Sequence, residues 1–122
     1  MARPKRAPDE QQLSPSEWQM MRILWRIGRA SVRQVLEEDL KTRNRDYRTI
    51  LTFLSRMETK GFLSVEKEGN TNYYTPVLAK KKGLKAEIGR FLDEVIGADR
   101  DGLELVRTAV ERKLLIRGPK RS

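Results

Sequence analysis

Asp46-Tyr47-Arg48-Thr49-Ile50-Leu51-Thr52-Phe53-Leu54-Ser55-Arg56-Met57-Glu58-Thr59-Lys60-Gly61 is the stretch that decides the fold. Ile50, Phe53, Leu54 and Met57 recur at steps of three, one and three, the spacing of one face of an α-helix. Asp46 is placed to cap its N-terminus. Gly61 supplies the left-handed position after Lys60, and Phe62 the apolar contact that accompanies such an ending. With the stripe turned inward, Arg48, Thr49, Thr52, Ser55 and Arg56 face outward, and Tyr47 stands at the helix start, within reach of a phosphate or a base. Arg forks onto guanine, and Thr hydrogen-bonds a base edge or touches the thymine methyl. An outward face of Arg and Thr is also what a solvated helix shows, so the flanking sequence has to decide.

Upstream, Ser31 and Gln34 form a capping box for a second helix with Val32, Val35, Leu36 and Leu40 as its apolar stripe. Lys41 to Arg45 is a short basic connection, as a helix-turn-helix requires. Further upstream, Ser14-Pro15-Ser16-Glu17 is another capping box with Pro at the first helical position. Trp18, Met21, Leu24 and Trp25 follow at helical spacing, and Gly28 stops that helix. The two tryptophans lie seven apart on one face, which fits core packing rather than base stacking.

Downstream the period changes from 3.6 to 2. Phe62 to Lys67 and Asn72 to Val77 are β-rich runs around the turn signal Glu68-Gly69-Asn70-Thr71. Pro76 marks the end of the hairpin or an edge position. Three short helices followed by a hairpin spell a winged helix. From Lys41 to Arg56 five residues are basic and only Asp46 is acidic. Arg33 stands in the first turn of the second helix, which crosses the DNA backbone in such folds. The candidate DNA contacts are therefore Arg33, Arg43, Arg45, Tyr47, Arg48, Thr49, Thr52 and Arg56, with Lys67, Asn70 and Asn72 from the wing.

After Leu78 the pattern is helical again. Leu84, Ile88, Phe91, Leu92, Val95 and Ile96 form one stripe, with Gly83 and Gly89 weakening the helix by about 1 kcal/mol each. Asp101 and Glu104 read as a third capping box, followed by Leu105, Val106, Ala109, Val110, Leu114 and Leu115. Neither stripe can be buried by its own helix. Two such helices from each of two chains would make a small four-helix core; folding back on the same chain is the alternative. The expected dimerisation residues are Leu84, Ile88, Phe91, Leu92, Val95, Leu105, Val106, Val110 and Leu114.

Composition removes much else. The 122 residues include no His and no Cys. That excludes disulfides, thiolate metal sites, imidazole ligands and most nucleophilic hydrolase constellations. Glu37, Glu38 and Asp39 are adjacent on a polar helix face, and solvation rather than carboxylate catalysis is their default. Neither an enzyme, nor a metal, nor a cofactor is expected. The net charge of +9 points to a polyanion. It is not concentrated in the reader: residues 1–77 carry net +4 and residues 78–122 net +5. No apolar run approaches the roughly 20 residues of a membrane span, and Met1 to Pro8 lacks the apolar core of a signal peptide. A cytoplasmic protein without membrane insertion is expected. The expected organisation is a disordered basic arm over 1–12, a winged-helix domain over 13–77, a helical dimerisation domain over 78–117 and a disordered tail over 118–122.

The chain also resembles a family. Leu13 to Trp18 with Met21, Leu24 and Trp25, then Val32-Arg33 and Val35, look like the opening of the penicillinase-repressor (BlaI/MecI/CopY) family. Tyr47 to Thr52 with Leu54, Arg56, Glu58, Lys60 and Gly61 is similar to its recognition helix. Glu66 to Gly69 and Tyr73 to Pro76 are similar to its wing. The resemblance implies a mainly α protein with a small β-hairpin wing: a homodimeric transcriptional repressor with a C-terminal helical dimerisation segment. Its partners would be a dyad operator in double-stranded DNA and, for many members, a membrane metallopeptidase sensor system that leads to cleavage. Leu51 stands where many members carry Lys, and Arg48 where they carry Thr. Thr108-Ala109 stands where the antibiotic-resistance members have their scissile Asn-Phe pair. The absence of Cys removes the site of the copper-responsive branch. A winged-helix protein–protein module is the competing reading, and it predicts an acidic or apolar outer face on the third helix.

Overall fold

The computed structural model describes residues 12–117. The expected arm, save Gln12, and the expected tail lie outside the described residues. Two compact units form, one up to Gly83 and one from Leu84 onward.

In the first unit, α1 (Pro15–Ile27), α2 (Val32–Asp39) and α3 (Tyr47–Thr59) surround the core, with a small sheet of β1 (Ala30–Ser31), β2 (Leu63–Glu68) and β3 (Thr71–Pro76) at one side. Both upstream capping boxes form as read. The Glu17 N–H donates to Ser14 Oγ at 3.2 Å, and the Ser14 N–H to Glu17 Oε1 at 2.8 Å. The Ser31 and Gln34 pair repeats this at 3.2 and 2.8 Å. Asp46 Oδ1 accepts the Thr49 N–H at 2.8 Å. At the end of α3 the Phe62 N–H reaches Met57 O and the Gly61 N–H reaches Glu58 O, the paired bonds of a Schellman ending. Met20, Met21, Leu24, Val35, Ile50, Leu54 and Met57 are fully buried. Trp18 and Trp25 pack on this core with ring centroids 6.0 Å apart.

The sheet is three-stranded and antiparallel in the order β1-β3-β2, with β2 and β3 forming the wing. β1 is an addition to the sequence reading: its two residues pair Ala30 with Tyr74 and Ser31 with Tyr73. The strands of the hairpin also run one residue further toward the tip than expected, leaving a two-residue turn. Gly69, at φ +61°, takes the first central position and Asn70 the second without positive φ, the pattern of a type II′ turn. Pro76 ends β3 beyond the reach of β1, so its missing N–H breaks no ladder bond.

Three further readings are corrected. Leu40 is half exposed, because α2 ends at Asp39 before the stripe can continue. Asp39 does not lie on a solvated face with Glu37 and Glu38 but turns inward and is 1% exposed. The first unit reaches past Leu78 to Gly83. There the Trp25 indole N–H donates to Leu78 O at 2.8 Å, and a Cβ on Gly83 would stand 2.7 Å from Leu78 Cδ2. Gly83 therefore fills a close approach as well as weakening its helix.

α4 (Lys80–Phe91) passes into a π-helical turn over Leu92–Ile96, closed by the Gly97 N–H on Leu92 O, and α5 (Arg100–Arg117) follows. α5 begins before Asp101. The capping carboxylate is Asp99, whose Oδ1 accepts the Asp101 N–H at 3.1 Å, so the expected Asp101–Glu104 box does not form. None of residues 84–116 is buried. No helix among the described residues is long and apolar enough to cross a membrane.

Candidate nucleic-acid interface

The back of α3 is anchored by Ile50, Leu54 and Met57, with Phe53 half-buried against the core. Its other side carries exposed Tyr47, Arg48, Leu51, Thr52, Ser55 and Arg56, with Thr49 half-buried. Neither Arg48 nor Arg56 has a carboxylate partner among the described residues. The Thr52 hydroxyl donates to the Arg48 carbonyl at 2.9 Å. What Thr52 still offers outward is its lone pair and its methyl group, a narrower role than the sequence suggests.

Beside this face a groove of about 720 Å³ opens between the start of α2, the start of α3 and the wing tip. Arg33, Tyr47, Asn70 and Asn72 line it, together with Ser31, Val32, Gln34, Glu37, Leu51, Thr71 and Tyr73. Four of the sequence-selected residues thus meet in one place. Gln34, Glu37 and Leu51 join them, although the sequence names none of the three among the candidate DNA contacts. Gln34 and Glu37 of α2 line the groove together with Tyr47 and Leu51 of α3, a meeting that sequence spacing alone does not give.

The basic run from Lys41 to Arg56 is divided by the fold. Arg45 turns inward: Nη1 lies 2.8 Å from Asp39 Oδ1, Nη2 reaches Ser16 and Gln19, and the guanidinium stands 5.4 Å from the Phe53 ring centroid. With its side chain 18% exposed, it holds the helix-turn-helix together and is withdrawn from the candidate DNA contacts. Lys41 pairs with Glu38 at 2.8 Å, and Arg26 pairs with the same carboxylate at 2.7 Å. These two partners, Lys41 first, hold the Glu38 carboxyl below the usual range. Arg43 lines a separate recess with Arg22, Arg26 and Glu38 rather than the α3 groove. Arg48 and Arg56 alone of the five project from α3. Lys67 is exposed on the wing opposite Asn72 and stays outside the groove.

The wing brings its own charge pairing. Arg29, which no sequence motif marks, bonds Glu68 at 2.7 Å and Glu66 at 3.3 Å and stacks 4.2 Å from the Tyr73 ring centroid. Its position becomes meaningful only with β1, because pairing of Ser31 with Tyr73 brings Arg29 alongside the hairpin. No cluster of acidic side chains suited to a metal is present among the described residues.

Helix-turn-helix, two-stranded wing and a third short strand define the winged-helix class. Comparison with known proteins narrows this: the family model described as penicillinase repressor matches residues 13–115, and the chain belongs to that family. It is 30% identical over 82 residues to the penicillinase repressor of Bacillus licheniformis, covering 67% of this chain and 64% of that protein. The chain spans less than two thirds of the length of the first curated relatives it matches. The DNA-binding domain of the repressor BlaI matches with a TM-score of 0.56 at 32% identity, over 65% of this chain and 93% of that domain. Monomeric Bacillus licheniformis BlaI in complex with the blaP half-operator matches with a TM-score of 0.51 at 32% identity, over 59% and 88%.

Proposed function

We propose that the chain is a sequence-specific transcriptional repressor that binds a dyad operator as a homodimer. The observation that carries this reading is the outer face of α3, where Arg48 and Arg56 stand exposed, without an ion-pair partner among the described residues, beside the groove shared with Arg33 and the wing tip. α3 enters the major groove, with Arg48, Thr49, Thr52 and Arg56 toward base edges. Arg33 and Tyr47 meet phosphates, and Asn70 and Asn72 approach the flanking backbone from the wing. Arg43 and Lys67 are outlying phosphate contacts. The similarity to BlaI solved in complex with a half-operator supports DNA binding. An α3 face of Arg and Thr disfavours the protein-module alternative.

The dimer is supported by the second unit. Val95 is 62% exposed, Leu105 72% and Leu115 82%, and Ile88, Phe91, Val110 and Leu114 are exposed as well. Burying an aliphatic or aromatic side chain contributes about 1.5–3 kcal/mol, so this surface favours a second copy of the same helices. Leu84, Leu92 and Val106, half-buried, flank that surface. Release from DNA would follow a membrane metallopeptidase sensor system, as the family resemblance implies, with Thr108-Ala109 standing in place of the Asn-Phe pair that is cleaved in the antibiotic-resistance members. The chain works without cofactor or metal, in the cytoplasm.

Replacing Arg48 by Ala tests the reading. Binding to the selected operator falls by about 1–3 kcal/mol and preference relaxes at one base position; equal weakening on every sequence would make Arg48 a phosphate contact only.

A further inference from the structure

The wing is a poor candidate for touching DNA on its charge alone. Its hairpin, 63–76, carries Glu66, Lys67 and Glu68, which leaves it net negative. Glu66 faces Tyr73 across the ladder and Glu68 faces Thr71. Side chains two apart on a strand share one side, so both carboxylates project together from the face that carries the Tyr73 ring. A polyanion approaching Asn70–Asn72 meets them next. Arg29 answers this from outside the hairpin. One guanidinium reaches both carboxylates and lies on the Tyr73 ring, and Tyr73 itself lines the groove.

We propose that Arg29 is the positioning and charge-cancelling residue of the wing: it neutralises the carboxylates that would repel phosphate and fixes Tyr73 and the adjoining tip against the groove. This rests on the DNA-binding reading above. Exposed ion pairs contribute little to stability, and here the partners are 36%, 73% and 61% exposed. The effect therefore belongs to binding rather than to melting. It also weakens as salt screens the charges.

The test uses the full chain and a duplex that it selects from a random-sequence pool. Three variants are compared with the parent across a salt series: Arg29→Gln, the pair Glu66→Gln/Glu68→Gln, and all three together. Arg29→Gln should weaken binding by about tenfold at low salt, and the loss should shrink as salt rises. The pair should bind more tightly than the parent at low salt. The triple variant should return to within about threefold of the parent. An Arg29→Gln variant that binds as the parent overturns the proposal, as does a carboxylate pair that gives no gain, or a triple variant as weak as Arg29→Gln. A parent chain that selects no duplex at all would instead overturn the DNA-binding reading and this proposal with it.

Discussion

Arg45 Nη1 lies 2.8 Å from Asp39 Oδ1, closing the turn between α2 and α3 from the inside. Asp39 is held a second way, since its backbone carbonyl accepts the N–H groups of Thr42 at 3.1 Å and Arg43 at 2.8 Å. The pair therefore sets where α3 leaves α2. Replacing Arg45 by Met strands a buried carboxylate, and the expected loss is about 3–5 kcal/mol. Urea unfolding measures it, and adding Asp39→Asn should recover a large part. A loss below about 1 kcal/mol would return Arg45 to the exposed contacts.

A second buried carboxylate ties the other end of α3 to α1. Glu17 is 2% exposed, caps α1 through the Ser14 N–H and meets Lys60 Nζ at 2.6 Å. Lys60 also donates to Gln12 O at 3.0 Å. Lys60→Met should cost about 3 kcal/mol, and the Lys60→Met/Glu17→Gln double should cost less than the single change. Ser14→Ala, which removes only the cap, should cost about 1 kcal/mol. Thermal melts of the four proteins separate these effects.

Acid should loosen the helix-turn-helix through the carboxylates of Glu38 and Asp46. Lys41 and Arg26 hold Glu38 below its ordinary value of 4.5, and the Thr49 N–H holds Asp46 below 3.8. A depressed carboxylate stabilises the fold above its unfolded value, and that contribution is lost as pH falls through the folded one. The melting temperature should thus be insensitive to these groups from pH 7 to about pH 5 and decline below about pH 4. Glu38→Gln/Asp46→Asn should show a shallower acid decline. An unchanged decline would mean that the two pairings contribute nothing.

The exposed apolar surface of the second unit predicts its own disruption. Val95→Asp together with Leu105→Asp should sediment as a monomer while the first unit stays folded. Affinity for a two-half-site duplex should fall by about tenfold or more, with single half-site binding little changed. A variant that still sediments as a dimer would place the interface elsewhere.

Much of this was legible in the residues because local rules decide it. The capping boxes at Ser14 and Ser31, the Gly61 ending and the α3 stripe are written in spacings of three and four, and the structure has them all. The misses are long-range. β1 is two residues long and exists only because β3 lies beside it, so no period could announce Ala30-Ser31. Arg45 reads as one more cation in a basic run until Asp39, Ser16 and Gln19 close around it from two other helices. Asp99 displaced Asp101 as the cap because α5 starts earlier than its apolar pattern. For the candidate interface, the outward face of α3 and the position of the wing tip are legible in the sequence, whereas Arg29, Gln34, Glu37 and the division of the Lys41–Arg56 run depend on how elements meet.

The central claim is sequence-specific reading of a dyad site, and selection of bound duplexes from a random pool by the full chain tests it most directly. The account predicts an inverted repeat whose half-site centres lie one helical turn, about 34–36 Å, or a multiple apart. Affinity for it should fall steeply with salt, with a slope of about −0.9 per phosphate neutralised. A pool that enriches no motif, with binding flat in salt, would contradict it.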